Sequence, residues 1–262
     1  MRREDAAARL DASQAAAAAS GVKAMIPIAD ASGAGTARPF LDYVLSALAD
    51  VGVREVVLVL GPEHDAVRDY YTRVSPPVRV RVRFALQAEP LGTANAVVAA
   101  AATIGDEAFL VLNADNFYPR EALKHLVDGD SAATIAFDRD ALVREGNIDR
   151  ERVRSFAVLD VSPEGRLLGI VEKPGEQLDL DSPAARWVGM NCWAVTPALV
   201  DACRRVAKSA RGEFELPEAV ALAIREGVAV HAQRLALPVL DLSHRADIPA
   251  VVATLGALAP RP

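Results

Sequence analysis

The chain has 262 residues, of which 52% are hydrophobic, which suits one large α/β domain. Its formal net charge of −6 argues against nucleic acid or an anionic membrane as the main partner, while leaving room for a local phosphate site. No apolar run is long enough to span a bilayer as a helix, and the alanines at 15–19 are too few and too weakly apolar for a signal-peptide core.

In chain order, residues 4–20 are alanine-rich with scattered charge and predict a helix. Residues 24–28 are a short apolar run, a strand or its exit. Leu41, Val44, Leu45 and Leu48 stand at helical spacing, so 40–51 reads as a helix that Gly52 stops. Residues 55–60 are a nearly continuous β-branched run, as in a strand buried on both faces. A helix follows at about 63–71. Residues 78–86 alternate Val with Arg, which predicts a strand with one wet face. Residues 93–102 form a small-residue helix, and 108–112 another buried strand. This alternation implies βαβ units and a largely parallel sheet. Past residue 130 strands are expected at 134–137, 155–161, 167–172 and 190–195, the middle two flanking a Pro163-Glu164-Gly165 turn. Helices are expected near 197–206, 216–226 and 247–258. Nothing divides the chain, so 1–262 reads as one domain, with 175–183 its most loop-like stretch.

Several residues could carry chemistry. Gln87 ends a strand and precedes a turn at the carboxyl edge, where open α/β sheets bind ligands. Its primary amide offers a donor and an acceptor, as the edge of a pyrimidine base requires. Gly92 lets the backbone approach a base or ribose, and Thr93 can cap the helix that follows. Asp115 closes the run Phe109-Leu110-Val111-Leu112-Asn113-Ala114-Asp115. Lys173 stands between Glu172 and Pro174 after another strand. Taken singly, these would be a connection, a turn and a surface ion pair. Cys192 and Cys203 match no zinc spacing and are too few for a disulfide framework, so buried reduced thiols in a cytoplasmic protein are expected. His64, His125, His231 and His244 form no ligand pattern.

Taken together and in order, the string 87–97 (Gln-Ala-Glu-Pro-Leu-Gly-Thr-Ala-Asn-Ala-Val), Asp115 and Val171-Glu172-Lys173-Pro174 resemble the sugar-phosphate nucleotidylyltransferases, which join a nucleoside triphosphate to a sugar 1-phosphate. The string is similar to the base-binding segment of the hexosamine-1-phosphate uridylyltransferases and, more loosely, of the glucose-1-phosphate thymidylyltransferases. The resemblance runs from about residue 22 to 255. It implies a Rossmann-like, GT-A-like nucleotidyltransferase fold, with a mixed, mostly parallel central sheet and helices on both faces. It implies that Gln87, Pro90, Leu91, Gly92 and Thr93 bind the nucleotide, with UTP or dTTP favoured. Asp115 then holds Mg²⁺, which prefers one or two carboxylates with phosphates and water, although Ala114 replaces the family's glycine. Asp241, after a strand-like run, is preferred as second metal ligand over Glu218, which suits a first-turn helix acid. Lys173 would bind the sugar phosphate, while Glu172 and, more weakly, Asn191 would contact the sugar. Lys23, in Val22-Lys23-Ala24-Met25-Ile26-Pro27, would reach triphosphate oxygens.

The family's glycine-rich phosphate loop should precede these segments. Gly33-Ala34-Gly35-Thr36-Ala37-Arg38-Pro39 looks like it but follows Lys23, where the family has a short Gly-Lys-Pro segment. The expectation is therefore an N-terminally incomplete domain, its first strand and loop missing through start-codon assignment or natural shortening. An unpaired central sheet edge and poor catalysis would follow. A non-catalytic nucleotide-sugar-binding regulatory protein is the alternative. A glycosyltransferase of related fold would need an Asp-x-Asp motif, and Asn113-Ala114-Asp115 has one acid of the two. The sugar and the oligomeric state are not legible.

Overall fold

The structure, a computed structural model, describes residues 22–29 and 37–262. The helix expected at 4–20 and the Gly33–Thr36 part of the segment that looks like the phosphate loop lie outside the described residues.

A short 3₁₀ turn at Lys23–Met25 leads into β1 (Pro27–Ile28), which pairs antiparallel with β2 (Arg38–Pro39). Helix α1 (Phe40–Asp50) follows and buries Leu41, Val44, Leu45 and Leu48, the expected apolar stripe, together with Phe40. Gly52 ends it at φ +98°, a conformation open to glycine. Strand β3 (Glu55–Leu60) leads to the short α2 (Asp65–Asp69), and β4 (Arg81–Leu86) returns parallel to β3. On the wet face of this pair Arg83 Nη1 lies 2.6 Å from Glu55 Oε1. Helix α3 (Thr93–Ile104) crosses to β5 (Phe109–Leu112). Next come β6 (Asn116–Phe117), α4 (Arg120–Val127), β7 (Ala133–Asp138), α5 (Arg139–Glu145), β8 (Ala157–Val161) and β9 (Leu167–Val171). The chain ends with β10 (Trp187–Val195), α6 (Pro197–Arg205), α7 (Leu216–Arg225), β11 (His231–Leu235), β12 (Leu240–Asp241) and α8 (Ile248–Leu255).

Strand β10 is the spine of the larger sheet. It runs antiparallel to β5, β7 and β8, and β11 pairs parallel with β7. The sheet is thus mixed, but its centre is antiparallel rather than parallel, because β10 enters against its neighbours. Helices α1, α4 and α8 pack in one apolar cluster, and α3, α6 and α7 in another on the opposite face. Among the described residues no helix is long and apolar enough to cross a membrane. Cys192 and Cys203 are buried and unpaired. Burial pushes the Cys203 thiol up to about 12, which keeps it protonated and inert.

Strands β3 and β5 do not meet. Between them lies a mostly apolar cavity of about 930 Å³, walled by every residue of Glu55–Leu60 on one side and of Phe109–Leu112 on the other. Helix α1 contributes Leu41, Val44 and Leu48 to its lining, and α3 contributes Val97 and Ala100. The β3 edge turned from β4 and the β5 edge turned from β10 border this space. The cavity also explains a departure from expectation. Phe109–Leu112 are all half-buried, and within β3 only Leu58 and Leu60 are fully buried, although the composition of both runs suits a strand buried on both faces.

Candidate active site

One group of polar residues lines the cavity just past β3 and β5. Lys23 Nζ lies 3.3 Å from Asp115 Oδ2, both side chains about a quarter exposed. Asn113, Asn191, His64 and Thr93 line the same space. Of the expected site residues, Lys23, Asp115, Thr93 and Asn191 are therefore brought to one cavity.

Backbone geometry marks two of the expected residues. Among the described residues, Lys173 (φ +45°) and Asn191 (φ +50°) are the non-glycine residues in left-handed conformation. Such conformations cost energy and cluster at ligand sites. Asn191 sits where the β10–β7 pairing shifts register between Gly189 and Trp193, a bulge that re-aims the side chain. The buried Tyr118 pins that bulge. Its hydroxyl donates to Met190 O at 2.7 Å and accepts from the Asn113 N–H at 3.3 Å. Tyr118 stands three residues after Asp115, and only the buried hydroxyl's need for partners could have flagged it. Tyr118→Phe is expected to leave both backbone groups unpaired, at about 1–3 kcal/mol, and to lower Tm by roughly 3–10 °C. A thermal melt with unchanged Tm would remove this role.

The turn after β4 is organised differently from expectation. Gly92 has φ +106°, and a Cβ there would meet the Phe214 carbonyl oxygen at 2.5 Å. Its close approach is to this backbone, which is stitched to the turn by Phe214 N–H to Leu91 O (2.7 Å) and Ala94 N–H to Phe214 O (2.9 Å). Thr93 does not cap its own helix. Its hydroxyl accepts from Leu216 N–H at 2.8 Å and caps α7 instead. Gln87 Nε2 donates to Gly92 O at 3.0 Å and to Asn95 Oδ1 at 2.9 Å, so both amide hydrogens are spent inside the protein. Pro90 and Leu91 complete the turn, Pro90 exposed and Leu91 half-buried.

Glu172 and Lys173 leave β9 as an ion pair at 3.5 Å, with Arg211 Nη2 3.8 Å from the same Glu172 oxygen. Burial raises the Glu172 carboxyl above the usual range, against the lowering effect of Lys173. Glu215 ties the same loop to Arg211 at 2.5 Å.

Asp241, the second metal ligand expected beside Asp115, adjoins it through the backbone. Leu242 N–H donates to Asp115 O at 2.8 Å, so the two backbones are adjacent. The Asp241 carboxylate turns inward, however. It is 2% exposed, lies against the Arg152 guanidinium and accepts from Ser243 Oγ at 2.9 Å. A buried carboxylate needs such a partner, and here a cation of the protein supplies it. Glu218 is exposed in the first turn of α7, as a helix-dipole acid would be. Among the described residues no group of three His, Cys, Asp or Glu stands close enough to hold a metal. Asp115 remains as an accessible carboxylate, which fits an ion completed by phosphates and water.

Residues 23–235 match the family model described as nucleotidyl transferase. Agl11, a low-salt glycan biosynthesis nucleotidyltransferase of Haloferax volcanii, is 26% identical over 214 residues, covering 80% of this chain and 53% of that protein. The UTP–glucose-1-phosphate uridylyltransferase AglF of the same organism is 28% identical over 211 residues, covering 80% of this chain and 81% of that protein. The chain thus spans about half the length of the first relative and most of the second. Among solved structures, the UTP-bound UGPase of Acinetobacter baumannii superposes with a TM-score of 0.70 at 18% identity, covering 91% of this chain and 87% of that one. That likeness shows the fold.

Proposed function

The chain belongs to the nucleotidyl transferase family, and from that premise we propose that it joins UTP or dTTP to a sugar 1-phosphate with release of pyrophosphate. The observation that carries this reading is the Lys23–Asp115 pair on the cavity wall, a cation and a carboxylate where triphosphate chemistry needs both. A phosphate oxygen of the sugar 1-phosphate attacks the α-phosphorus in line. The bond from that phosphorus to the bridging oxygen breaks, and pyrophosphate leaves. No covalent nucleophile is required, so the protein's part is positioning and charge neutralisation. Lys23 turns from Asp115 to the triphosphate oxygens, and Lys173 takes the phosphate of the sugar substrate. Glu172 accepts from sugar hydroxyls, and Asn191 adds a contact from the β10 bulge. Asp115 would hold Mg²⁺ with phosphate oxygens and water, the ion supplying further neutralisation of phosphate charge. Leu242 steadies the Asp115 backbone from behind, its N–H donating to the Asp115 carbonyl. A cytoplasmic location with reduced thiols accords with this reading.

The test is pyrophosphate release from the four nucleoside triphosphates with a panel of sugar 1-phosphates in Mg²⁺. Release that needs both substrates, with UTP or dTTP giving the highest kcat/KM, is expected. Nucleotide-sugar binding without release under any pairing would overturn the catalytic reading and leave a regulatory protein on the same fold.

A further inference from the structure

Strand β3 ends in a turn, Gly61-Pro62-Glu63-His64, which is closed from both sides. The His64 N–H donates to Gly61 O at 3.1 Å. The Gly61 N–H donates in return to His64 Nδ1, also at 3.1 Å. Because Nδ1 accepts, the imidazole carries its hydrogen on Nε2 and is a donor there. Glu63 Oε1 lies 3.4 Å from Nε2. The Glu63 carboxylate folds back over Gly61, where a Cβ would meet Glu63 Oε2 at 2.7 Å. Glycine at 61 thus leaves room for the acid. The turn holds a donor and an acceptor side by side, and His64 lines the cavity that Lys23, Thr93 and Asp115 also line.

Strand order decides which part of a nucleotide passes this turn. Gln87 N–H donates to Leu60 O at 2.9 Å, so the turn after β4 starts beside the end of β3. On the other edge of β3 lies the cavity, and Asp115 follows the strand on its far wall. A nucleotide with its base at the turn after β4 and its triphosphate at Lys23 and Asp115 crosses the end of β3 with its ribose. The chemistry of the pair agrees. A carboxylate 3.4 Å from the donor repels a phosphate, whereas a hydroxyl both donates and accepts and can use both groups. We infer that Glu63 and His64 hold the ribose of the nucleotide, His64 Nε2 donating to one hydroxyl and Glu63 accepting from the diol. This rests on the nucleotide reading above and adds to it a contact from β3.

Equilibrium binding of UTP and 2′,3′-dideoxy-UTP to the full chain tests this, with pyrophosphate release followed in parallel. The unaltered protein is expected to bind UTP at least about tenfold more tightly, the scale of polar groups left unmatched. His64→Asn sets an amide oxygen near the Nδ1 position, where it can take the Gly61 N–H, and leaves nothing at the Nε2 position. It is expected to lower the ratio of the two affinities about fivefold or more, through weaker UTP binding alone, at unchanged Tm. His64→Gln carries an amide nitrogen out to the Nε2 position. It is expected to keep the ratio within about threefold of the unaltered value, although it gives up the bond from Gly61 and lowers Tm. A His64 that serves the turn alone gives the reverse, with Asn tolerated, Gln harmful and both nucleotides affected equally, and that result would overturn the inference. So would equal binding of the two nucleotides by the unaltered protein. Binding of neither would overturn the nucleotide reading itself. A UTP preference with the expected variant ratios but no pyrophosphate release would support the ribose contact and count against the proposed reaction alone.

Discussion

Asp115→Asn is expected to lower Mg²⁺-dependent pyrophosphate release by at least about a hundredfold, on the scale of removing one electrostatic contact to a transition state. The change keeps the shape of the side chain and removes its charge. Two consequences follow from the geometry. Lys23, 3.3 Å away, loses its counter-charge in the free protein and stays available for phosphate oxygens, so nucleotide affinity should fall less than turnover. The fold should hold, because the Asp115 backbone carbonyl, not its carboxylate, receives the Leu242 N–H. A quarter-exposed ion pair contributes little to stability, so Tm should move by no more than a few degrees. Near-normal turnover at saturating Mg²⁺ would exclude Asp115 as the main metal ligand and would move attention to the phosphates alone.

The contrast between Asp115 and Asp241 illustrates what the sequence could carry. Asp115 was legible because it ends an apolar run at the carboxyl edge of a sheet, and the structure puts it on the cavity beside Lys23. Asp241 also follows an apolar run, yet its partner Arg152 is 89 positions away, and no local pattern reports which of two acids meets a guanidinium in the interior. The helix 40–50 was legible from its apolar spacing, 93–104 from its small residues, and Gly52 from its place after the first of them. The reversal of β10 was not, since a buried strand has the same composition whichever way it runs. Gly92 and Thr93 were singled out for a ligand and for a local helix cap, and the protein contacts they make were not legible. Their contacts are with Phe214 and Leu216, more than a hundred residues later, and the requirement for glycine looks the same whether a ligand or a backbone comes close. Lys173 and Asn191 carry left-handed backbone with no glycine to announce it.

An apolar segment of about six residues, rich in Val and Ile and appended ahead of the chain through a flexible linker, is expected to raise Tm by about 10 °C. The cavity between β3 and β5 has the form of one strand. Its walls are two strand edges, β3 supplies six consecutive residues, and α1 and α3 cover it from both faces. Several backbone hydrogen bonds at about 1 kcal/mol each, and four or five apolar side chains at about 1.5–3 kcal/mol each, oppose an ordering cost of about 1–2 kcal/mol per residue. A rise of about 10 °C corresponds to a net gain of about 3–5 kcal/mol, at roughly 2–4 °C per kcal/mol in a chain of this length. A proline in the middle of the segment removes a ladder donor and should cancel most of the gain, whereas a shuffled segment of the same hydrophobicity without proline should keep it. Amide exchange should slow in Val56–Val59 and in Leu110–Val111, whose outer edges the segment would cover. Equal stabilisation by the proline-containing segment would mean that the apolar residues bind non-specifically. No change in Tm or exchange would mean that the two edges are not free to pair.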